Sequence, residues 1–349
     1  MLVVDHVDLE VPDGSFVVLL GPSGCGKTTT LRCIAGMETP DSGDIFIGEK
    51  RVNKLQPKER DVAMVFQNYA LYPHMTVYQN MAFPLRMRHV AKNEIDSRVK
   101  EVAKLLNIDR LLQRKPKQLS GGEQQRTALG RAIVRRPKLF LMDEPLSNLD
   151  AKLRFSTRTE IKRIQKEIGT TTVYVTHDQA EAMALADKVG VMNKGKILQY
   201  DPPGQLYLRP KTTFVAGFMG SPPMNLIKAS LVEKSDGIMV LDAGKLKYTV
   251  PATWYDTIKN NVTGPEVYLG IHPEDLKIST SPTAETIFEA DVYLVEPVGA
   301  NILVDIKVDG SIFKAISPPL TLNLGQKVYA SFPDSKAHVF DAKTEQLII

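Results

Sequence analysis

Over the first two hundred residues, unbroken apolar runs of strand length alternate with stretches whose apolar positions recur every three or four residues. Phe16-Val-Val-Leu-Leu20 is such a run, closing on Gly21, and a helical stretch follows from Lys27 to a stop at Gly36. Ile45-Phe-Ile47 and Val62-Ala-Met-Val65 are further strand candidates. Between Asn93 and Leu112 the apolar residues Ile95, Val99, Val102 and Leu106 line one face of an amphipathic helix. Leu139-Phe-Leu-Met142 and Thr172-Val-Tyr-Val-Thr176 each end in polar residues, as buried parallel strands do when they deliver side chains to a site. Asp178, with Glu181 three residues on, predicts a helix start of the capping-box kind, and Met192-Asn-Lys-Gly195 predicts a hairpin turn.

Beyond about residue 215 the pattern changes. Helical periodicity fades, and short β-rich runs take over: Val267-Tyr-Leu269, Val292-Tyr-Leu294, Ile302-Leu-Val304 and Lys327-Val-Tyr-Ala330. Their spacing predicts a small barrel or sandwich, with Gly220-Ser-Pro-Pro223 as the hinge before it. A chain of 349 residues is too long for one ordinary core, so two domains are expected, 1–216 and 217–349.

Composition narrows the partners. The formal net charge of +4 comes from 44 basic and 40 acidic side chains, and basic residues form no block of five or more, a balance too mild to argue for nucleic acid. Two cysteines, Cys25 and Cys33, give no disulfide framework and fit a reducing compartment. No apolar run approaches the ~18 residues needed to span a bilayer, and no secretory signal is visible. These features predict a cytoplasmic protein whose link to a membrane runs through partners.

The most specific chemistry lies at Gly21-Pro22-Ser23-Gly24-Cys25-Gly26-Lys27-Thr28, which fits the P-loop pattern G-x-x-x-x-G-K-[ST]. Its glycines let successive N–H groups converge on phosphate oxygens, and the helix N-terminus adds partial positive charge. Lys27 can reach the β- and γ-phosphates, the Thr28 hydroxyl can ligate Mg²⁺, and Thr29 follows in the same helical turn. Asp143-Glu144 closes an apolar strand: Asp143 suits a Mg²⁺ ligand and Glu144 a general base, although a simple surface turn would use the same pair. His177 also follows a strand, either as a γ-phosphate contact or as a structural residue. Gln67 is a candidate for Mg²⁺ or the attacking water. Ser120-Gly121-Gly122-Glu123 fits a capping box and also a phosphate-binding helix start, and capping alone leaves the paired glycines unexplained.

Taken in order, Lys27, Gln67, residues 119–123, Asp143-Glu144, residues 147–150 and Thr176-His177 resemble the Walker A, Q-loop, signature, Walker B, D-loop and H-loop of the ABC (ATP-binding cassette) ATPases. The likeness covers residues 2 to about 215. Val65-Phe-Gln-Asn-Tyr-Ala-Leu-Tyr-Pro-His74 and Pro145-Leu-Ser-Asn-Leu-Asp-Ala-Lys-Leu153 are similar to cassettes of the maltose and multiple-sugar importers. Gly217-Phe-Met-Gly-Ser-Pro-Pro-Met-Asn-Leu226 and Leu269-Gly-Ile-His-Pro-Glu-Asp275 extend the likeness into an OB-like regulatory domain of the TOBE type.

The resemblance implies an α/β nucleotide-binding domain with a helical subdomain at about 70–130, followed by a β-rich domain. It implies ATP and Mg²⁺ as ligands and a head-to-tail homodimer. Lys27, Thr28, Asp143, Glu144 and His177 of one chain would face Ser120 to Glu123 of its partner, with Asp150 in the D-loop between them. It also implies two membrane permease subunits docking at residues 69–78, an extracytoplasmic solute-binding protein, and a place on the inner face of the cell membrane. The leading function is the energy-coupling ATPase of a carbohydrate importer. Importers of polyamine, ferric iron, sulfate or glycerol phosphate share the architecture. A soluble ABC ATPase of translation or DNA repair would carry a second cassette or a long coiled-coil insertion. The β-rich domain is a candidate regulator-binding module.

One family feature has no counterpart. The aromatic that stacks on adenine belongs in a turn well before the P-loop, but Phe16 lies on the strand feeding that loop and Met1 aligns beyond the turn. The expected explanation is a truncated chain or a misassigned start. Restoring upstream residues is expected to tighten ATP binding by the stacking energy, roughly 1–3 kcal/mol.

Overall fold

Three of the apolar runs form the middle of one sheet in the computed structural model of the chain, which describes residues 2–349. Met1, on which the stacking-turn expectation falls, lies outside the described residues. The strands are β1 (Phe16–Leu20), β2 (Phe46–Ile47), β3 (Lys50–Arg51), β4 (Val62–Val65), β5 (Leu139–Asp143), β6 (Thr171–Thr176), β7 (Lys188–Asn193) and β8 (Lys196–Asp201). Six of them form a sheet in the order β4-β5-β6-β1-β7-β8. Its pairings are parallel except for the β7–β8 hairpin that closes one edge. Every residue of β1, β5 and β6 is buried, as their unbroken apolar character requires for strands covered on both faces. By contrast, β2 and β3 form a separate hairpin in which Phe46 is exposed, so that short apolar run does not join the main sheet.

Register fixes where the chemistry can be. Leu20 pairs with Thr176, and Asp143 pairs with Val175, so β1, β5 and β6 end level. Gly21, Glu144 and His177 therefore leave the same edge of the sheet, the carboxyl edge where α/β sheets bind ligands.

The helices are α1 (Lys27–Ala35), α2 (Val77–Met87), α3 (Lys92–Leu105), α4 (Gly121–Ile133), α5 (Ala151–Ile168) and α6 (Gln179–Leu185). In α3 the predicted stripe is buried through Ile95, Val99 and Val102. The helix ends at Leu105, short of the predicted 112, because Asn107 turns left-handed at φ 53° and a 3₁₀ turn over Asp109–Leu111 follows. Asp178 does cap α6, accepting from the N–H groups of Ala180 and Glu181. The reciprocal half of the expected capping box is missing, because the Glu181 carboxylate turns inward to Tyr174 and Thr176.

The chain divides into two compact units, the first ending at Gly204 and the second spanning Gln205–Ile349. The sequence pattern placed this boundary at 217. Residues 205–216 group with the second unit because the chain end holds them. Thr213 N–H donates to Glu345 O at 3.0 Å, Leu347 N–H to Lys211 O at 2.9 Å, and Thr212 bridges Gln346.

Two short helices, α7 (Pro203–Leu208) and α8 (Thr213–Phe218), precede the β-rich part. There β9 (Asn225–Glu233), β10 (Met239–Ala243) and β11 (Leu246–Thr249) precede α9 (Tyr255–Asn261), β12 (Glu266–Ile271) and β13 (Lys277–Ser279). Then follow β14 (Phe288–Val298), β15 (Asn301–Val308), β16 (Ser311–Ser317), β17 (Lys327–Ser331) and β18 (Ala337–Asp341). They form two antiparallel five-stranded sheets, β11-β10-β9-β12-β18 and β13-β17-β14-β15-β16. Leu241, Val267, Leu269, Val304, Ile306, Val328 and Val339 meet in one core. All four β-rich runs picked out by the sequence lie on these strands.

Candidate functional site

The turn between β1 and α1 is built on two glycines that no other residue could replace without rearrangement. A Cβ on Gly21 would stand 2.2 Å from the Met192 carbonyl oxygen and 2.8 Å from Cys25 Sγ. Gly26, the residue before α1, has φ 106°, and a Cβ there would stand 2.6 Å from the Val3 carbonyl oxygen. Ser23 and Gly24 are exposed at the rim, Cys25 and Gly26 are buried, and Pro22, Thr28 and Thr29 are half-buried. Cys25 packs with Leu19, Leu31 and Val175, the buried filler its type suggests.

Lys27 is buried, and its ammonium donates to Gly21 O at 2.9 Å and Pro22 O at 3.0 Å. The cation thus lies across the loop whose backbone it would share with a phosphate. In the next position, the Thr28 hydroxyl donates to Asp143 Oδ1 at 2.9 Å. Asp143 is buried at the end of β5. Burial pushes its carboxyl above the ordinary carboxylate range and neighbouring Glu144 adds to the rise, while the Thr28 hydroxyl pulls it back.

Glu144 adopts φ 43°, in the left-handed region that ordinary residues avoid. Its N–H donates to Val175 O at 3.0 Å, and its carbonyl accepts from the Ser147 N–H at 3.2 Å and hydroxyl at 2.9 Å. Held on both sides, the residue places its carboxylate Oε2 3.0 Å from His177 Nδ1. One strand-end pair therefore serves two directions: Asp143 toward the P-loop helix, Glu144 toward the histidine.

Residues 120–123 form a capping box, with Ser120 N–H donating to Glu123 Oε2 at 2.8 Å and Glu123 N–H returning to Ser120 Oγ at 3.4 Å. The bond from the Ser120 backbone holds the Glu123 carboxyl below its usual range. The paired glycines have a packing reason: a Cβ on Gly122 would meet both δ-carbons of Leu153 at 3.1 Å, and one on Gly121 would meet Leu149 at 3.3 Å. The start of α4 is thereby pressed against the segment that opens α5, where Asp150 caps by accepting from Leu153 N–H at 2.9 Å. Among the described residues, no hydrogen bond joins residues 120–123 to the P-loop of the same chain. Gln67 is tied to the segment before α5, its backbone carbonyl accepting from the Asn148 side chain at 2.8 Å.

Several residues that sequence reasoning passed over organise this region. Arg131 on α4 donates to Ala70 O at 2.7 Å and Tyr69 O at 3.0 Å, holding two left-handed residues just after Gln67. Asn80 on α2 is fully buried and ties residues 72–76 together, accepting from Tyr72 N–H and donating to the carbonyls of Tyr72, Met75 and Thr76. Both act on backbone groups, so neither leaves a mark in the spacing of side chains.

Comparison with known proteins agrees with this architecture. A family model described as "ABC transporter" matches residues 4–147, one described as "MalK OB fold domain" matches 220–276, and one described as "TOBE domain" matches 269–340. The chain is 49% identical to a trehalose/maltose import ATP-binding protein of Thermococcus litoralis, covering 99% of this chain and 95% of that one. It is 47% identical to an oligosaccharides import ATP-binding protein of Bacillus subtilis, over 98% and 94% of the two chains. Among solved structures, a dimeric ATP-binding cassette in a post-hydrolysis state with ADP and Pi is similar, with a TM-score of 0.52 and 31% identity. That likeness covers 58% of this chain and 90% of the cassette. With a P-loop, a strand-end carboxylate pair and this extent of likeness, the chain belongs to the ABC transporter family as an ATP-hydrolysing import subunit, a cassette followed by OB-fold and TOBE modules.

Proposed function

We propose that two copies of this chain form the ATP-driven engine of a carbohydrate importer, each site being shared between the copies. One observation carries the reading. Level strand ends bring Lys27, Thr28, Asp143, Glu144 and His177 to one edge, while among the described residues Ser120 to Glu123 make no hydrogen bond to the P-loop of their own chain. A complete phosphate site then needs the α4 N-terminus of a second copy.

In each site, Gly21 to Thr29 cradle the triphosphate and the Lys27 ammonium leaves the loop carbonyls for phosphate oxygens. The Thr28 hydroxyl and Asp143 carboxylate are hard oxygen donors in mutual contact, a donor set that fits Mg²⁺, and Gln67 is the further side-chain oxygen assigned to it. The ion, when bound, spreads the charge of the phosphates. The Glu144 carboxylate takes the proton of the water that attacks the γ-phosphorus, and His177 orients that carboxylate and contacts the γ-phosphate. Ser120, Gly121, Gly122 and Glu123 of the partner close the site with exposed N–H groups and a helix N-terminus, and Asp150 lies in the connecting D-loop.

Closure on ATP would move two permease subunits docked near residues 69–78, with an extracytoplasmic binding protein delivering the solute. Among the described residues no helix is long and apolar enough to cross a membrane, which suits attachment to the inner face of the cell membrane through those permeases. The carbohydrate assignment draws on relatives named for trehalose/maltose and oligosaccharide import. The mild net charge of +4 gives no argument for a nucleic-acid partner. Glu144→Gln tests the chemistry. Hydrolysis should fall by about 10²–10⁴-fold, the usual contribution of a general base, while an ATP-bound dimer accumulates on gel filtration. Turnover close to the parent's would refute the assignment of Glu144.

A further inference from the structure

His177 has little to hold its own side chain. It is 54% exposed, and among the described residues its ring has one hydrogen-bond partner, Glu144. Its position is therefore set by the backbone of residues 176–178, where sheet pairing to Leu20 holds Thr176 and one buried carboxylate orients the hydroxyl that ties Thr176 to Asp178 across the histidine. Glu181, in the first turn of α6, is 3% exposed. Its Oε2 accepts from the Tyr174 hydroxyl at 2.7 Å and the Thr176 hydroxyl at 2.8 Å. With the Thr176 proton committed to Glu181, the lone pairs of that hydroxyl are free to accept the Asp178 N–H, at 3.0 Å. The residues before and after His177 are thus joined through a single oxygen that Glu181 orients.

A second tether lies on the far side of the same loop. Asp178 Oδ2 stands 3.4 Å from Arg154 Nη1, and the other Arg154 nitrogen donates to Leu149 O at 3.2 Å, beside Asp150. Arg154 does not reach Thr176, so it does not duplicate the first tether. Burial raises the Glu181 carboxyl, opposed by the two hydroxyl bonds. A buried ionisable group is an expensive way merely to fill space, and Tyr174 and Thr176 hydroxyls would not both need an acceptor if those positions were apolar.

We propose that Glu181 is a positioning residue for ATP hydrolysis: through the Thr176 hydroxyl it fixes the backbone that aims His177 at Glu144. The proposal rests on the reading of His177 as part of the hydrolytic site, and the test separates the two.

The experiment measures steady-state MgATP turnover of the full chain for His177→Ala, Glu181→Ala and the double variant, with thermal unfolding as a check of fold. His177→Ala should lower kcat about 100-fold, and Glu181→Ala about 10-fold, with KM for ATP moving less than about twofold. The double variant should be no slower than His177→Ala alone, because Glu181 acts only through the histidine. Glu181→Gln keeps an acceptor oxygen for both hydroxyls and should recover to within about threefold of the parent. Thr176→Val is a second route that leaves Glu181 and Tyr174 in place, and its loss should likewise vanish in the His177→Ala background. Losses that multiply with that of His177→Ala, or an unchanged kcat in both Glu181→Ala and Thr176→Val, would overturn the proposal while leaving His177 in its role. A His177→Ala chain at full rate would remove the reading of His177 and the proposal with it.

Discussion

Replacing Arg60 with leucine should destabilise the P-loop helix from its far end. Arg60 is 4% exposed, and its guanidinium serves four backbone carbonyls: Cys33 at 2.7 Å, Ile34 at 3.0 Å, Leu55 at 3.0 Å and Asn53 at 3.3 Å. Two of these belong to the last turn of α1, whose carbonyls have no partner within the helix. After substitution, Cys33 O keeps the Gly36 N–H at 3.2 Å, but the other three oxygens lose the partner that Arg60 supplied. A fully buried acceptor left unmade costs about 1–3 kcal/mol, and these three, on half-buried residues, fall at the low end. At the low end, three such groups give about 3 kcal/mol, and the apolar leucine returns part of that by filling the same space. For a unit of about 200 residues, a loss of about 2–3 kcal/mol lowers the unfolding midpoint by roughly 4–12 °C. Differential scanning calorimetry of the full chain reads this directly, and Arg60→Lys should fall between parent and leucine variant because one ammonium cannot reach all four oxygens. A leucine variant melting within about 1 °C of the parent would refute the reasoning.

Gly21→Ala should abolish nucleotide binding and lower stability together, because its methyl would meet the Met192 carbonyl at 2.2 Å; a normal melt with normal ATP affinity would contradict that. Asp341, fully buried at the end of β18, bears on acid stability. Burial alone would raise its carboxyl, but N–H groups of Thr263 and Thr344 and the Thr263 hydroxyl hold it well below the usual range. A carboxyl lowered on folding contributes stability that is complete above pH ~4 and lost as pH falls below it. Asp341→Ala should therefore be less stable at pH 7 and lose less on acidification to about pH 3, so parallel urea-midpoint profiles against pH would rule this out. Asn80→Ala should loosen residues 72–76 and weaken co-purification with permease subunits more than it slows MgATP hydrolysis by the free chain; the reverse pattern would remove residues 69–78 from the docking surface.

The parts of the fold legible in sequence were those in which one chemical pattern serves one element. The runs at 16–20, 139–142 and 172–176 are apolar throughout because their strands are covered on both faces, and glycine stops α1 at Gly36. The glycine turn after β1 was legible for the same reason: only glycine tolerates the approach at Gly21. What stayed hidden depends on contacts across the chain. Arg60, Asn80 and Arg131 bind carbonyls, which every residue carries, so no side-chain pattern announces them. Glu181 misled because its spacing from Asp178 suits a capping box, whereas Tyr174 and Thr176 offer two buried hydroxyls that claim its carboxylate. The glycines at 121–122 suggested phosphate, and the structure adds Leu149 and Leu153 as neighbours that also require them small. Strand order, and with it the level ends that bring Asp143 and His177 beside the P-loop, is a property of the folded sheet alone.

The central claim is that a working site is made of two chains. Lys27→Ala removes the phosphate-side cation, and Gly121→Asp sets a carboxylate at the α4 N-terminus, so a homodimer of either variant has two defective sites. A mixed dimer would hold one site with both defects and one with neither. Co-assembled in equal amounts, the two inactive variants should regain about one quarter of the parental MgATP turnover, since half of random dimers are mixed and each has one intact site. A mixture no faster than the average of the separate variants would contradict the shared site.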